Sequence, residues 1–216
     1  MKRFTLKQMV LSLGAATMLL SSQSVMAQYT KLTALDGMLS YGQSSVSHAE
    51  AYDKLVDRKE NTKWGGWFDP RLEDDAAWPI DQGASANKMY IIVKAEEAVV
   101  PTFYFLVTGN DTGGDPNRSW SSWKIYGGNF DNDEAAVREG EGWTLIDDRE
   151  GEPLPAENFG HKDLDFNQAD GKTAYQYFWI EISDAVGYTD DGVYLQMSEW
   201  GLGTYGSFLA YLDYLN

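Results

Sequence analysis

Eight consecutive residues, Tyr175-Gln176-Tyr177-Phe178-Trp179-Ile180-Glu181-Ile182, constrain the fold of this chain more than any other segment. The run is rich in aromatic and β-branched side chains and contains no Pro, so it reads as a central strand with both faces covered. Shorter apolar or alternating runs at 38–41, 88–93, 101–108, 123–127, 143–147 and 196–202 repeat the theme. Clusters of Gly, Asp, Asn and Pro separate them, which is the punctuation of an all-β protein. One short helix is expected over 49–55 with Ser47 as its N-cap. A second helix-spaced stripe, Phe208, Leu209, Tyr211, Leu212 and Leu215, is expected to pack on the domain. The long connections 65–87, 109–122, 128–142 and 149–174 favour a two-sheet sandwich over an up-and-down barrel, and loops of this length usually carry function or are disordered.

The N-terminus reads as a targeting segment. Lys2, Arg3 and Lys7 precede an apolar stretch from Met9 to Leu20, and Val25-Met26-Ala27 ends in small residues, so cleavage is expected after Ala27. The stretch is too short and too interrupted to span a bilayer. Residues 1–27 are therefore expected to be a signal peptide, and 28–216 a single exported domain, secreted, periplasmic or at the surface of a bacterial cell. The chain has no Cys, which excludes disulfides and a lipid anchor on Cys. Core burial, helped by a metal, has to hold the fold.

Net charge is −16, and loss of the three basic leader residues takes it to −19. Such a surface repels nucleic acid and anionic lipid, so neither nucleic-acid binding nor membrane insertion is expected; it suits neutral ligands or cations. Aromatic residues make up 14% of the chain, with 8 Trp and 13 Tyr. Most belong to the core of a β protein, and a few in loops can serve as stacking platforms for sugar rings.

The stretch Leu55-Val56-Asp57-Arg58-Lys59-Glu60-Asn61-Thr62-Lys63-Trp64 suggests a loop folded around a hard cation. Asp57 offers a carboxylate and Thr62 a hydroxyl and a carbonyl, the oxygen donors that Ca²⁺ takes, while Trp64 plugs the loop into a core. The competing reading is that Asp and Asn here serve only the turn backbone.

Six segments in order resemble the discoidin, or coagulation factor V/VIII C-type, domain and its bacterial relatives, the family 32 carbohydrate-binding modules. They are AYDKLVDRKENTKW at 51–64, FLVTGND at 105–111, RSWSSWKIYG at 118–127, GWTLID at 142–147, the strand at 177–182, and LQMSEW at 195–200. The resemblance implies an all-β, eight-stranded antiparallel jelly-roll β-sandwich (galactose-binding-like), with long loops and one or two short helices. It also implies a structural calcium held by Asp57, Thr62 and Glu199, with the backbone carbonyl of Lys54 and one from the turn before Thr62. Ligands in the sugar-binding relatives meet loops at one end of the sandwich. Matched here, the platform candidates are Trp67, Phe68, Trp78 and Trp120, and the polar candidates are His48, Arg118, Asn158 and His161. Each has a structural alternative: Arg118 matches an arginine that is often buried, His48 can cap the helix, and Trp78 beside Pro79 can pin its own loop. The chain departs from the family pattern at Trp120, where Pro is common, and in the length of the 65–87 loop.

Catalysis is not expected. The acid pairs Asp74-Asp75, Asp147-Asp148 and Asp190-Asp191 read as solvated turns rather than glycosidase carboxyls across a cleft, and no Gly-x-Ser-x-Gly elbow occurs. The expectation is a non-catalytic module for neutral glycans with a structural calcium. The alternative is a cell-surface adhesion or assembly protein that binds a protein partner with the same fold. A flat aromatic patch favours the second; a pocket with an isolated ring and converging polar groups favours the first.

Overall fold

A computed structural model describes residues 29–37, 49–71, 89–138, 141–190 and 192–203. The leader, the strand expected over 38–41, the segment 207–216, His48 and Trp78 lie outside these residues. The described chain forms eleven strands: β1 (Tyr29–Thr30), β2 (Leu32–Gly37), β3 (Trp64–Phe68), β4 (Met89–Val99), β5 (Phe103–Val107), β6 (Trp120–Gly128), β7 (Trp143–Arg149), β8 (His161–Asp165), β9 (Tyr175–Ala185), β10 (Val193–Met197) and β11 (Glu199–Gly203). One short helix, α1, covers Asp133–Arg138. The helix expected over 49–55 is a single 3₁₀ stretch, Tyr52–Val56, preceded by Ala51 without a side-chain cap.

All strand pairs are antiparallel. They form a five-stranded sheet in the order β2-β4-β9-β6-β7, a four-stranded sheet β1-β11-β5-β8 and a two-stranded sheet β10-β3. The run at 175–182 lies in β9, the middle strand of the five, but only one face is fully covered: Trp179 and Glu181 on the other remain partly exposed. Phe178, Ile180 and Ile182 face inward and meet Tyr104, Leu106, Trp200 and Leu202 from the four-stranded sheet in one buried cluster, so the two large sheets form a sandwich. Phe178 and Trp200 touch across the layers at 6.3 Å between ring centroids.

The run at 196–202 is two strands rather than one. At Ser198 the chain leaves β3 and joins β5, and the Ser198 N–H donates to the Val107 carbonyl at 2.8 Å. A bulge opposite Ile125 and Tyr126 leaves Ile146 and Asp147, adjacent in β7, both in the interior. Burying a carboxylate is costly unless it is paired and hydrogen-bonded. Asp147 accepts from the Tyr104 hydroxyl at 2.6 Å, from Arg149 Nε at 3.0 Å and from the Asn167 N–H at 2.9 Å. Trp123 Nε1 donates to the Tyr104 oxygen at 2.9 Å, which closes the network. Burial and the Asp147 charge push the Tyr104 phenol far above its ordinary value, so it stays protonated and donates.

Candidate functional site

The register puts the start of β3, the ends of β5 and β10 and the starts of β8 and β11 at one end of the sandwich. Three connections meet there: residues 49–63, 108–119 and 150–160. Their meeting point is Lys63, a buried lysine. Its Nζ donates to Gln196 Oε1 at 2.8 Å and to both Asp111 oxygens at 3.1 and 3.2 Å, and lies 3.7 Å from Glu50. Arg118 grips the same Asp111 carboxylate at 3.1 Å and reaches Asp115 at 3.3 Å, fastening the 108–119 loop to itself. Burial raises the Asp111 carboxyl pKa, but hydrogen bonding to Lys63 and the nearby Lys63 charge outweigh it. Gln196 and Arg118 act in the same direction, so the group sits below its ordinary value.

The third loop enters through Asn158 and Phe159. Asn158 Oδ1 accepts the Gly113 N–H at 2.6 Å, and the Phe159 N–H donates to the Gly109 carbonyl at 3.4 Å. Phe159 has φ +55° and is 40% exposed. A bulky side chain in the left-handed region is strained, and strain of this kind collects at functional sites. A large exposed aromatic is thus held out beside a polar loop rather than folded into the core. On the other side of the ion group, Trp67 and Tyr194 pair across β3 and β10 with rings edge-on at 5.8 Å. The Tyr194 hydroxyl donates to Glu50, and burial followed by that carboxylate pushes its pKa up, so the phenol is a neutral donor.

The loop 57–62 also closes at this end. Asp57 Oδ1 accepts from Thr62 Oγ1 at 2.8 Å and from the Lys59 N–H at 3.1 Å. That N–H also points to Glu199 Oε1, at 2.5 Å, although Glu199 is 140 residues further along and fully buried. Arg58, at φ +66°, makes the tight turn between them. Thr62 Oγ1 lies 2.8 Å from the Lys59 carbonyl, and Lys54 Nζ stands 4.0 Å from Asp57. Among the described residues no group of three or more His, Cys, Asp and Glu side chains converges. The oxygen groups at this turn, the Asp57 and Glu199 carboxylates and the Thr62 hydroxyl, are of the type a hard cation takes, and here they are tied to each other and to the Lys59 N–H.

A scan of the sequence against protein-family models finds no match, and a comparison with curated proteins finds none. Solved structures do match. A family 32 module from Clostridium perfringens, in complex with GalNAc-β-1,3-galactose, aligns with a TM-score of 0.50 at 12% identity, covering 81% of this chain and 99% of that one. The family 32 carbohydrate-binding module of Streptococcus pneumoniae EndoD gives 0.50 at 8% identity over 83% and 100%. The paired family 32 domains of Clostridium perfringens ZmpB, in complex with GalNAc, give 0.50 at 12% identity over 87% and 36%. The chain has the fold of the family 32 carbohydrate-binding modules.

Within that fold the expected ligand residues separate. Arg118 and Asn158 come together through the 108–119 loop, and Trp67, three residues into β3 from that end, packs on Tyr194, whose hydroxyl reaches Glu50. Two expected platforms are buried. Phe68 is 0% exposed because the strand alternation that turns Trp67 outward turns its neighbour inward. Trp120 is 1% exposed; register shifts at Ser122 put both Trp120 and Trp123 inside, where Trp120 packs edge-on against Trp64 at 6.0 Å. His161 opens β8 and stacks on Phe105 at 5.3 Å, with Nε2 2.7 Å from Asp163, so its ring belongs to the outer side of the four-stranded sheet. Phe159, Lys63, Asp111 and Tyr194 were not anticipated. An aromatic beside Gly in the acidic loop segment Ala156-Glu157-Asn158-Phe159-Gly160 was the available signal for the first. No helix among the described residues is long and apolar enough to cross a membrane.

Proposed function

We propose that the chain is an exported, non-catalytic glycan-binding module whose ligand site is the loop end. Phe159 is the stacking platform. Asn158, Arg118, Asp111 and Tyr194 are the hydrogen-bonding groups, and Trp67 flanks them. The observation that carries this reading is Phe159 itself: an exposed ring in a strained backbone state, tied by Gly109 and Asn158 to a cluster of donors and acceptors. Aromatic rings stack on the apolar faces of sugars while polar groups fix their hydroxyls, and a few placed polar groups set orientation in such sites. The acidic surface favours a neutral glycan.

In the same proposal, a structural calcium binds Asp57, Thr62, Glu199 and the Lys54 carbonyl. The ion would supply positive charge to two carboxylates and so tie an early loop to a late strand. Export follows cleavage after Ala27, which places the module outside the cytoplasm. A glycan array probed with residues 28–216 tests the binding claim. Specific signals on neutral glycans that vanish in Phe159→Ala support it. An array silent for the correctly folded protein, or signals indifferent to Phe159→Ala, would contradict it.

A further inference from the structure

Among the described residues, the face of the five-stranded sheet turned away from the sandwich core carries a second aromatic surface, and the loop-end site uses none of it. Pleat and register place it. Side chains alternate between faces along each strand, so the inward set Ile91, Val93, Phe178, Ile180, Trp123 and Ile125 leaves the intervening positions on the other face, where Ile92 and Tyr177 are nonetheless buried. Direct cross-strand partners then line up in rows perpendicular to the strands. One row runs Ile92, Trp179, Tyr126, Leu145; the next runs Tyr90, Glu181, Lys124, Asp148. Trp143 stands in a third row beside Gly128.

Trp179 is the centre. Its ring lies 5.4 Å from Tyr126 at 37°, 5.9 Å from Trp143 at 70° and 6.3 Å from Tyr90 at 73°. All four rings are half-buried rather than sealed, unlike the core tryptophans. The neighbouring row holds charged hydrogen-bonding groups, with Lys124 3.8 Å from Asp148. Burial, then Glu181 and Asp148, raises the Tyr126 pKa, so its hydroxyl also keeps a proton to donate.

We propose that this face is a second glycan site, taking an extended neutral polysaccharide chain laid across β4, β9, β6 and β7, independent of the loop end. Four half-exposed rings, one each from β4 (Tyr90), β9 (Trp179), β6 (Tyr126) and β7 (Trp143), lie beside charged hydrogen-bonding groups, which matches a ligand with apolar ring faces and hydroxyl edges. The four rings come from four neighbouring strands, roughly 14 Å at about 4.8 Å per strand, which exceeds one sugar ring and calls for several. Carboxylates in the polar row and the net charge of −16 disfavour an anionic polymer and a second copy of this chain.

Native electrophoresis of residues 28–216 in gels containing hydroxyethylcellulose, galactomannan or xyloglucan tests this. The expected result is retardation by at least one polymer, weakened at least about tenfold in Tyr126→Ala/Trp143→Ala and unchanged in Phe159→Ala. Glu181→Gln/Lys124→Gln alters only exposed polar groups, keeps the fold testable, and is expected to weaken retardation about threefold. No retardation by any of the three polymers overturns the proposal, as does retardation lost in Phe159→Ala but kept in the sheet variants. Sedimentation showing a dimer that the sheet variants dissolve would assign the face to a protein contact and overturn it too.

Discussion

The loop end and the face of the five-stranded sheet turned away from the core are both aromatic, yet they are built in opposite ways. At the loop end one ring, Phe159, is held out by irregular backbone and tied through Gly109 to the loop that carries Asp111 and Arg118. On the sheet the rings occupy ladder positions, and each partly covers its neighbour. Position on a sheet is set by pleat and register, which the core enforces. Position in a loop is set by local ties, such as Lys63 to Asp111 and Asn158 to Gly113. The lesson is that the loop end depends on its ties and on the Lys59–Glu199 bond, whereas the sheet face depends only on the sandwich.

Four perturbations break or sharpen this contrast. The largest effect is expected from Asp147→Ala, which strips the partner from buried Tyr104 and from Arg149. Loss of one member of a buried charged network costs about 3–5 kcal/mol. Urea denaturation is expected to show that loss, with both aromatic surfaces failing together; a change under about 1 kcal/mol would remove Asp147 from the account of the core.

Next is calcium. At a free ion concentration a hundred times Kd, binding stabilises by about 2.7 kcal/mol. Chelation is therefore expected to lower Tm and weaken the loop end while polysaccharide retardation on the sheet survives, and Glu199→Gln is expected to abolish the response. Equal melting with and without chelator would sink the calcium proposal.

Smaller again is the ring itself. Phe159→Ala is expected to weaken glycan binding about tenfold, or roughly 1.4 kcal/mol. Phe159→Gly is expected to lose binding similarly while gaining about 1 kcal/mol of stability from relief of the left-handed backbone. Binding that persists in both variants would move the platform elsewhere.

The smallest effect concerns pH. Asp111 binds its proton less tightly in the folded state than the unfolded value of about 3.9. Its stabilising contribution is thus complete above that value and is lost as pH falls through the lower folded one. Acid titration below about pH 4 is expected to loosen the loop end before the sheet face. The reverse order would argue against the Lys63–Asp111 tie.

Much of the sandwich was legible in the sequence because strand signals are local. The run at 175–182 announced a central strand by composition alone, and 143–147 and 123–127 marked their strands to within a few residues. The segment Trp64-Gly65-Gly66-Trp67-Phe68 hid its strand behind two glycines, although Gly65 has to be small: a Cβ there would meet the Tyr194 ring at 2.6 Å. The break at Ser198 is a change of partner strand, which no neighbouring residue encodes. Asp57 and Thr62 were read from their own loop, but Glu199 joined them only through family resemblance, since that closure spans 140 residues. Of the residues expected to meet a ligand, Arg118 and Asn158 stand at the loop end, whereas Phe68 and Trp120 are buried. Whether a loop-flanking Trp points in or out depends on bulges such as the one at Ser122, and Trp120 turned in.

Hydrogen–deuterium exchange of residues 28–216, with and without the strongest array-positive glycan, tests the central claim most directly. The account predicts protection concentrated at 109–118 and 156–160, around Gly109, Gly113 and Phe159. Protection absent from both segments while the glycan is bound elsewhere on the molecule would contradict it.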